Sequence, residues 1–244
     1  LAQLGQVAAI LHVNLQQSPF AKQVRAFAGE TATTPGTSAL DEEEATLVAT
    51  ALGGTALLGG DDLAGDYADQ MVPEDAQAVL AAGIQDISNS LVEESAVNDV
   101  LRIILETMYR AMGFKRVMFC LKDGKSGQMV GRFGFGADTN QLARHFQFPL
   151  SYTPDVFHLA TSKALDIIIS DIDDTKIADR VPAWYRKLMP ARTFVIFPLN
   201  IKGVPVAMIY CDNDRPGSIV IPERELALLK TLRNQALLAI KQSS

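Results

Sequence analysis

The stretch Ala191-Arg-Thr-Phe-Val-Ile-Phe-Pro-Leu-Asn-Ile-Lys-Gly-Val-Pro-Val-Ala-Met-Ile-Tyr210 decides how the rest of this 244-residue chain is read. It contains two strand-forming runs, 193–201 and 204–211, rich in β-branched and aromatic residues and parted only by Lys202-Gly203. Two residues between such runs, the second of them glycine, specify a tight hairpin. An antiparallel pair of this length needs further strands and a covering layer, and the flanking sequence supplies both.

Downstream, Asp214-Arg-Pro-Gly217 turns the chain, and residues 223–241 read as an amphipathic helix. Leu226, Leu229, Leu232, Ala236, Leu237 and Ile240 form its apolar face, and Glu223 and Glu225 stand in the first turn, where acids complement the helix dipole. Upstream, Pro182 precedes a short helix over 183–188, and 165–170 is a short apolar strand. Thr153-Pro154-Asp155 offers a cap, an N1 proline and a first-turn acid for a helix ending near Lys163. Residues 146–152 form another strand, and strands 117–122 and 129–135 flank the turn Asp123-Gly-Lys-Ser-Gly127. Most neighbouring strands are hairpin-linked, so the expected class is α+β, with an antiparallel six-stranded sheet covered by helices in α/β/α layers.

The first part of the chain is a different object. Residues 1–97 hold two basic groups against 14 acids, a net of −12, and residues 98–244 hold the other 20 basic groups and 14 acids, a net of +6. Residues 1–28 show helical spacing at Leu4, Val7, Ile10 and Leu11, then at Phe20, Val24 and Phe27 after Ser18-Pro19. Gly, Ala, Thr and Asp dominate 29–73, which reads as a flexible acidic linker, with an Asp41-x-x-Glu44 capping box for one short helix ending at Gly53. Residues 74–112 carry a 3–4 seam through Leu80, Ile84, Ile87, Leu91, Leu101, Leu105, Met108 and Met112, broken by Glu94 and Asn98. The pattern gives a connecting helix over 74–96, ordered to about 92, and a second helix over 98–112. That seam serves either a helix-mediated homodimer or packing on the following domain.

Composition excludes several classes. The longest apolar-leaning stretch, 46–58, is broken by Gly53 and Gly54 and is far short of the roughly 20 residues a bilayer requires, so no membrane association is expected. No secretory leader is expected, since the first residues carry no basic n-region, and two cysteines fit a reducing cytoplasm. The start at Leu1 reads as a cut from a longer protein. A net of +6 without a clustered basic stripe argues against a nucleic-acid partner.

The element order resembles a GAF domain over about 97–242. Ile168-Ile-Ser-Asp171 resembles the step closing the fourth strand of that family. The Ala191–Tyr210 stretch resembles its Pro-Leu hairpin, with Ala207 where many members have glycine, and Glu225-Leu-Ala-Leu-Leu229 resembles the start of its closing helix. Asp99-Val-Leu-Arg-Ile-Ile-Leu-Glu-Thr-Met-Tyr-Arg-Ala-Met-Gly-Phe114, Pro182-Ala-Trp-Tyr185 and Leu232-Arg-Asn-Gln-Ala-Leu-Leu238 are similar to the C-terminal region of bacterial HDOD-containing signalling proteins, some of which carry a kinase domain. The resemblance implies a cytoplasmic sensory or regulatory module, non-catalytic, a homodimer through its helices, with residues 1–28 the end of a preceding HDOD-like domain. The partner it implies is an N-terminal HDOD or kinase output domain of the same protein. The chain contains no His-Asp dipeptide, so metal chemistry of the HD type has no place in it.

A pocket implied by the GAF arrangement would be lined by Arg132, Phe133, Phe135, Phe157, His158, Asp171, Trp184, Tyr185 and Arg192, which supply aromatic walls and a few polar groups. The same aromatic residues serve equally to fill a closed core. The small molecule is not identified: the cyclic-nucleotide N-K…F…D-E pattern and a bilin-attachment cysteine are both missing, so the cofactor is unknown. No metal site is expected, since His12, His145 and His158 lack ligand spacing and Asp171, Asp173, Asp174 and Asp179 read as turn and capping residues. Gly124-Lys-Ser126 lacks the earlier glycine of a P-loop, that position being Phe119. Cys120 and Cys211 fall on strands expected to be neighbours, which brings a cysteine-based redox enzyme into view beside the reading as two buried apolar side chains.

Overall fold

At the tip of the hairpin, Lys202 and Gly203 both adopt positive φ, 52° and 77°, the geometry a two-residue turn needs to match strand twist. The structure is a computed structural model and describes residues 55–58, 72–92 and 96–243. Its strands are β1 (Thr55–Leu58), β2 (Arg116–Lys122), β3 (Gln128–Gly136), β4 (Gln147–Pro149), β5 (Asp166–Ile169), β6 (Thr193–Ile201) and β7 (Val204–Asn213). Its helices are α1 (Ala76–Val92), α2 (Val97–Met112), α3 (Thr139–Ala143), α4 (Val156–Lys163), α5 (Ala183–Leu188) and α6 (Glu223–Gln242), with a 3-10 turn at Ala178–Arg180.

The strands form one sheet in the order β1-β5-β6-β7-β2-β3-β4. All pairings are antiparallel except β1 on β5, which is parallel. The α+β class with helices on both sheet faces is as expected. The sheet differs in having seven strands rather than six, because Thr55–Leu58, inside the segment read as linker, adds a strand to the β5 edge. The sequence of that strand, Thr55-Ala-Leu-Leu58, does not alternate apolar and polar residues and so carries no period-2 signal. The helices expected over 1–28 and 41–52 and the rest of that linker up to residue 71 lie outside the described residues.

Central strand β6 is buried from Thr193 to Leu199, so its side chains feed two cores. Phe194 and Ile196 join Met208 and Tyr210 of β7 on one face, under α4 and α5. Val195, Phe197 and Leu199 join Ala207, Ile209 and Cys211 on the other, beneath α1, α2 and α6. Pro182 immediately precedes α5, whose bounds match the expectation. The side chain that caps α4 is Asp155, not Thr153: its Oδ1 accepts the His158 amide at 2.8 Å, which places Pro154 outside the helix.

The seam on α1 is consumed within the chain. Leu80 and Ile87 are fully buried against α2 and α6, while Ile84 and Leu91 are partly buried there. Gln77 donates to Glu225 at 2.8 Å and Gln235 to Ser88 at 3.1 Å, fixing the register of α1 on α6. Where α1 crosses α2, Gly83 leaves no room for a side chain: a Cβ there would lie 2.4 Å from the Thr107 side chain. An alanine normally improves a helix interior by about 1 kcal/mol over glycine. Here overpacking, typically about 1–3 kcal/mol, should win. Gly83→Ala is expected to lower the thermal midpoint, and adding Thr107→Ala should recover part of the loss; a Gly83→Ala protein as stable as wild type would show that the helices are not in this contact.

Candidate functional site

On the α4–α5 side of the sheet, aromatic rings pack against one another. Phe157 lies 5.6 Å from Phe194, nearly parallel, and 5.1 Å from Trp184. Phe148 stacks on Trp184 at 5.6 Å, and Phe146 meets Trp184 edge-on at 5.3 Å. Tyr185 closes on Phe194 at 4.8 Å. Phe146, Phe157, Phe194, Tyr185 and Tyr210 are fully buried. Of the residues expected to line a pocket, Phe157, Trp184 and Tyr185 do come together here, but as mutually packed rings at ordinary contact distance.

Beneath the rings runs a buried polar chain absent from the sequence reading. Arg116 of β2 stands directly opposite Asp212 of β7, and its Nε donates to both carboxylate oxygens at 2.8 and 3.0 Å. Its Nη2 donates to the Pro190 carbonyl at 3.1 Å and to Asp214 at 2.7 Å. The Tyr210 hydroxyl donates to Asp212 at 2.7 Å, which leaves its oxygen to accept from Tyr185, 2.8 Å away. Burial, reinforced by the Asp212 charge, pushes both phenols well above their usual range, so they stay protonated as donors. Burial also pushes the Asp212 carboxyl up, against the downward pull of Arg116 and Tyr210.

The other expected site residues divide. His158 sits at the rim, its ring edge-on to exposed Tyr152 at 5.2 Å, with Nδ1 buried and unpartnered. Asp171 accepts from Arg192 at 3.1 Å, and Arg192 also reaches Asp173 at 3.0 Å, so these two belong to an ion-pair cluster pinning the 171–174 turn. Arg186 completes it by donating to Asp173 and to the Ile172 and Ala178 carbonyls. Among the described residues no group of three His, Cys, Asp or Glu is placed to hold a metal ion. Asp123 binds the Ser126 amide and hydroxyl, so Gly124-Lys-Ser126 is a hairpin turn.

Arg132, Phe133 and Phe135 do not reach the aromatic face. Phe119 pairs with Phe133 and Cys120 with Gly131, so Arg132 is the extra residue of a β-bulge and is exposed. The bulge reverses the alternation: Met129 faces the aromatic core, while Phe133 packs on Phe119 and Phe135 on Tyr109 on the helical side. Arg102 lies 5.1 Å over the Phe133 ring. Two open grooves lie on that side, near 430 and 540 Å³, the smaller walled by Leu101, Phe119, Leu121 and Phe133.

The neighbouring-strand expectation for the cysteines holds, but the thiols do not meet. Cys120 pairs with Met208 and belongs to the aromatic core, whereas Cys211 pairs with Val117 and belongs to the helical core. Burial raises both thiols well above the usual range.

The GAF domain family model matches residues 96–240, and the chain belongs to the GAF family. The fold is similar to the GAF domain of an Acinetobacter phosphoenolpyruvate-protein phosphotransferase, with a TM-score of 0.55 at 16% identity, covering 68% of this chain and 92% of that one. The corresponding domain from Coxiella burnetii gives a TM-score of 0.55 at 12% identity, covering 68% and 95%. A GAF domain/HD domain protein from Geobacter sulfurreducens gives 0.50 at 13% identity, covering 61% and 94%. No curated protein matches the chain. GAF domains are typically sensory or regulatory parts of signalling proteins, and no described helix is long and apolar enough to cross a membrane.

Removing one partner of a buried ion pair costs about 3–5 kcal/mol, because the other charge is left uncompensated. Because Arg116 would keep Asp214 and the Pro190 carbonyl, Asp212→Ala is expected to lose the lower end of that range, about 3 kcal/mol, in chemical denaturation, and Tyr185→Phe only about 1 kcal/mol, the worth of one hydrogen bond. Equal losses would place the energy in the rings instead. A disulfide reagent at neutral pH should label neither thiol in the native chain within the time that labels both in denaturant.

Proposed function

We propose that this chain is a non-catalytic regulatory GAF module of a bacterial signalling protein, working through the helices on one face of its sheet. The observation carrying this reading is the asymmetry of the two faces. One is closed by interlocked rings, and the other carries α1, α2 and α6, which pack together and lead toward the two ends of the domain. A change in the packing of those helices is what a preceding HDOD or kinase output domain would feel, with residues 1–28 as its trailing helices and 29–73 as the tether, apart from β1. The buried, inert thiols argue against a redox enzyme.

Two forms of this regulation differ in the aromatic face. In a sensor, a small molecule enters at the His158 rim and parts the rings, which the unpartnered Nδ1 favours. In a structural dimerisation module, the rings stay closed and the helices pair between copies; the packed cluster favours this form. Since Leu80 and Ile87 are spent within the chain, such a dimer would use another helical surface, such as that around exposed Leu238. A thermal-shift screen against cyclic and linear nucleotides, amino acids and tetrapyrroles, run alongside light scattering, separates them. A sensor gives a compound that raises the midpoint and loses its effect in Trp184→Ala. A dimerisation module gives no shift and a concentration-stable dimer. A monomer indifferent to every compound would sink both.

A further inference from the structure

Strand β1 comes from a stretch with the composition of a tether, yet it pairs along the full length of β5. Thr55, Ala56, Leu57 and Leu58 stand opposite Asp166, Ile167, Ile168 and Ile169 in parallel register. Ala56 and Leu58 are buried in the aromatic core with Ile167 and Ile169. The Ser170 amide donates to the Leu58 carbonyl at 3.2 Å, extending the ladder past the end of β5.

The edge that receives this strand is built by the rest of the domain. β5 is held on its far side by β6. Asp166, fully buried, is paired with Arg233 and Lys230 of α6. The Ser170 carbonyl is taken by the Gly217 amide at 2.7 Å. Nothing in that framework depends on β1. The strand itself is last in the sheet order and, among the described residues, has a strand neighbour on one side only and makes one long side-chain hydrogen bond, Thr55 Oγ1 to Asp166 at 3.5 Å. A four-residue edge strand held by one ladder and two buried side chains is the kind of segment that opens locally without unfolding the whole. A sheet edge with alternating pockets is the geometry by which folded domains accept extended peptides, the backbone giving affinity and alternate side chains giving selectivity.

We propose that the edge of β5 facing away from β6 is a strand-acceptor site for a short, uncharged, extended peptide segment with a small residue at its second position and leucine at its fourth, and that Thr55–Leu58 is its resident, exchangeable ligand in cis. The second position is small because Ala56 is enclosed in the core, and the fourth is large because Leu58 fills the space beside Ile169. Tethering holds the resident strand at an effective concentration in the millimolar range, so a competing segment succeeds only when concentrated or when the resident is drawn away. The site thereby couples the chain before residue 55 to the aromatic core and, through Asp166 and Arg233, to α6.

The test uses the full chain carrying Ala56→Asp and Leu58→Asp, which removes the resident while leaving the acceptor intact. The probe is a synthetic peptide of residues 52–61, followed by NMR at the Ile167–Ser170 amides. The variant should show saturable shifts at millimolar peptide, wild type at least a tenfold weaker response, and a peptide bearing both aspartates none. Equal responses from the two chains, or none from a variant whose β6 and β7 amides keep their native shifts, would overturn the proposal. If the variant fails to fold, hydrogen exchange on the wild-type chain decides. The Ser170 amide should exchange at least tenfold faster than those of β6 and β7, and equal rates would mean that β1 opens only with global unfolding.

Discussion

Apart from the edge strand β1, the sheet is two hairpin-built halves, β2-β3-β4 and β5-β6-β7, joined where β2 lies against β7. That junction brings together residues nearly a hundred positions apart, and Arg116 opposite Asp212 stands at its end. A buried pair of opposite charges tolerates almost no displacement, since any slip leaves a charge facing apolar surroundings. Slippage by one residue would also exchange the two core faces. The pair therefore disfavours slippage of β2 on β7, and its remaining valences reach outward: to the Pro190 carbonyl before β6, to Asp214 in the following turn, and through Tyr210 to Tyr185 of α5.

A second buried acid does similar work at the other end of the sheet. Asp166 ties β5 to α6, and α6 carries α1 by way of Gln77 and Gln235. Each face thus has a polar anchor at its margin and hydrocarbon between. Such satisfied polar groups give geometric definition more than stability, since a buried pair recovers little beyond its own desolvation. The apolar layers supply the driving force.

The local parts of this architecture were legible. Lys202-Gly203, Pro182 and the apolar face of residues 226–240 act on their near neighbours, and the elements they specify formed close to their expected bounds. What depended on distant partners was not legible. Nothing near Arg116 announces Asp212, although a charged residue at the end of each of two apolar strands was a signal open to use. Asp166 was passed over inside a run read as apolar. Phe133 and Phe135 were expected in the pocket from the GAF resemblance, but the extra residue Arg132 turns them to the helical side, and bulges leave no dependable mark in sequence. For the aromatic face, the packing was undecidable, because rings that line a void and rings that fill one look alike in a sequence.

The opposite orientation of Cys120 and Cys211 has a practical side. Each thiol is sealed in a different layer of the same molecule, at adjoining strands, with no third cysteine to confuse the signal. Their rates of slow modification form a two-channel clock: one runs when the rings part from the sheet, the other when the helices lift away. A chain that loosens on one side alone would advance one clock and not the other, reporting which layer yields first without any label being introduced.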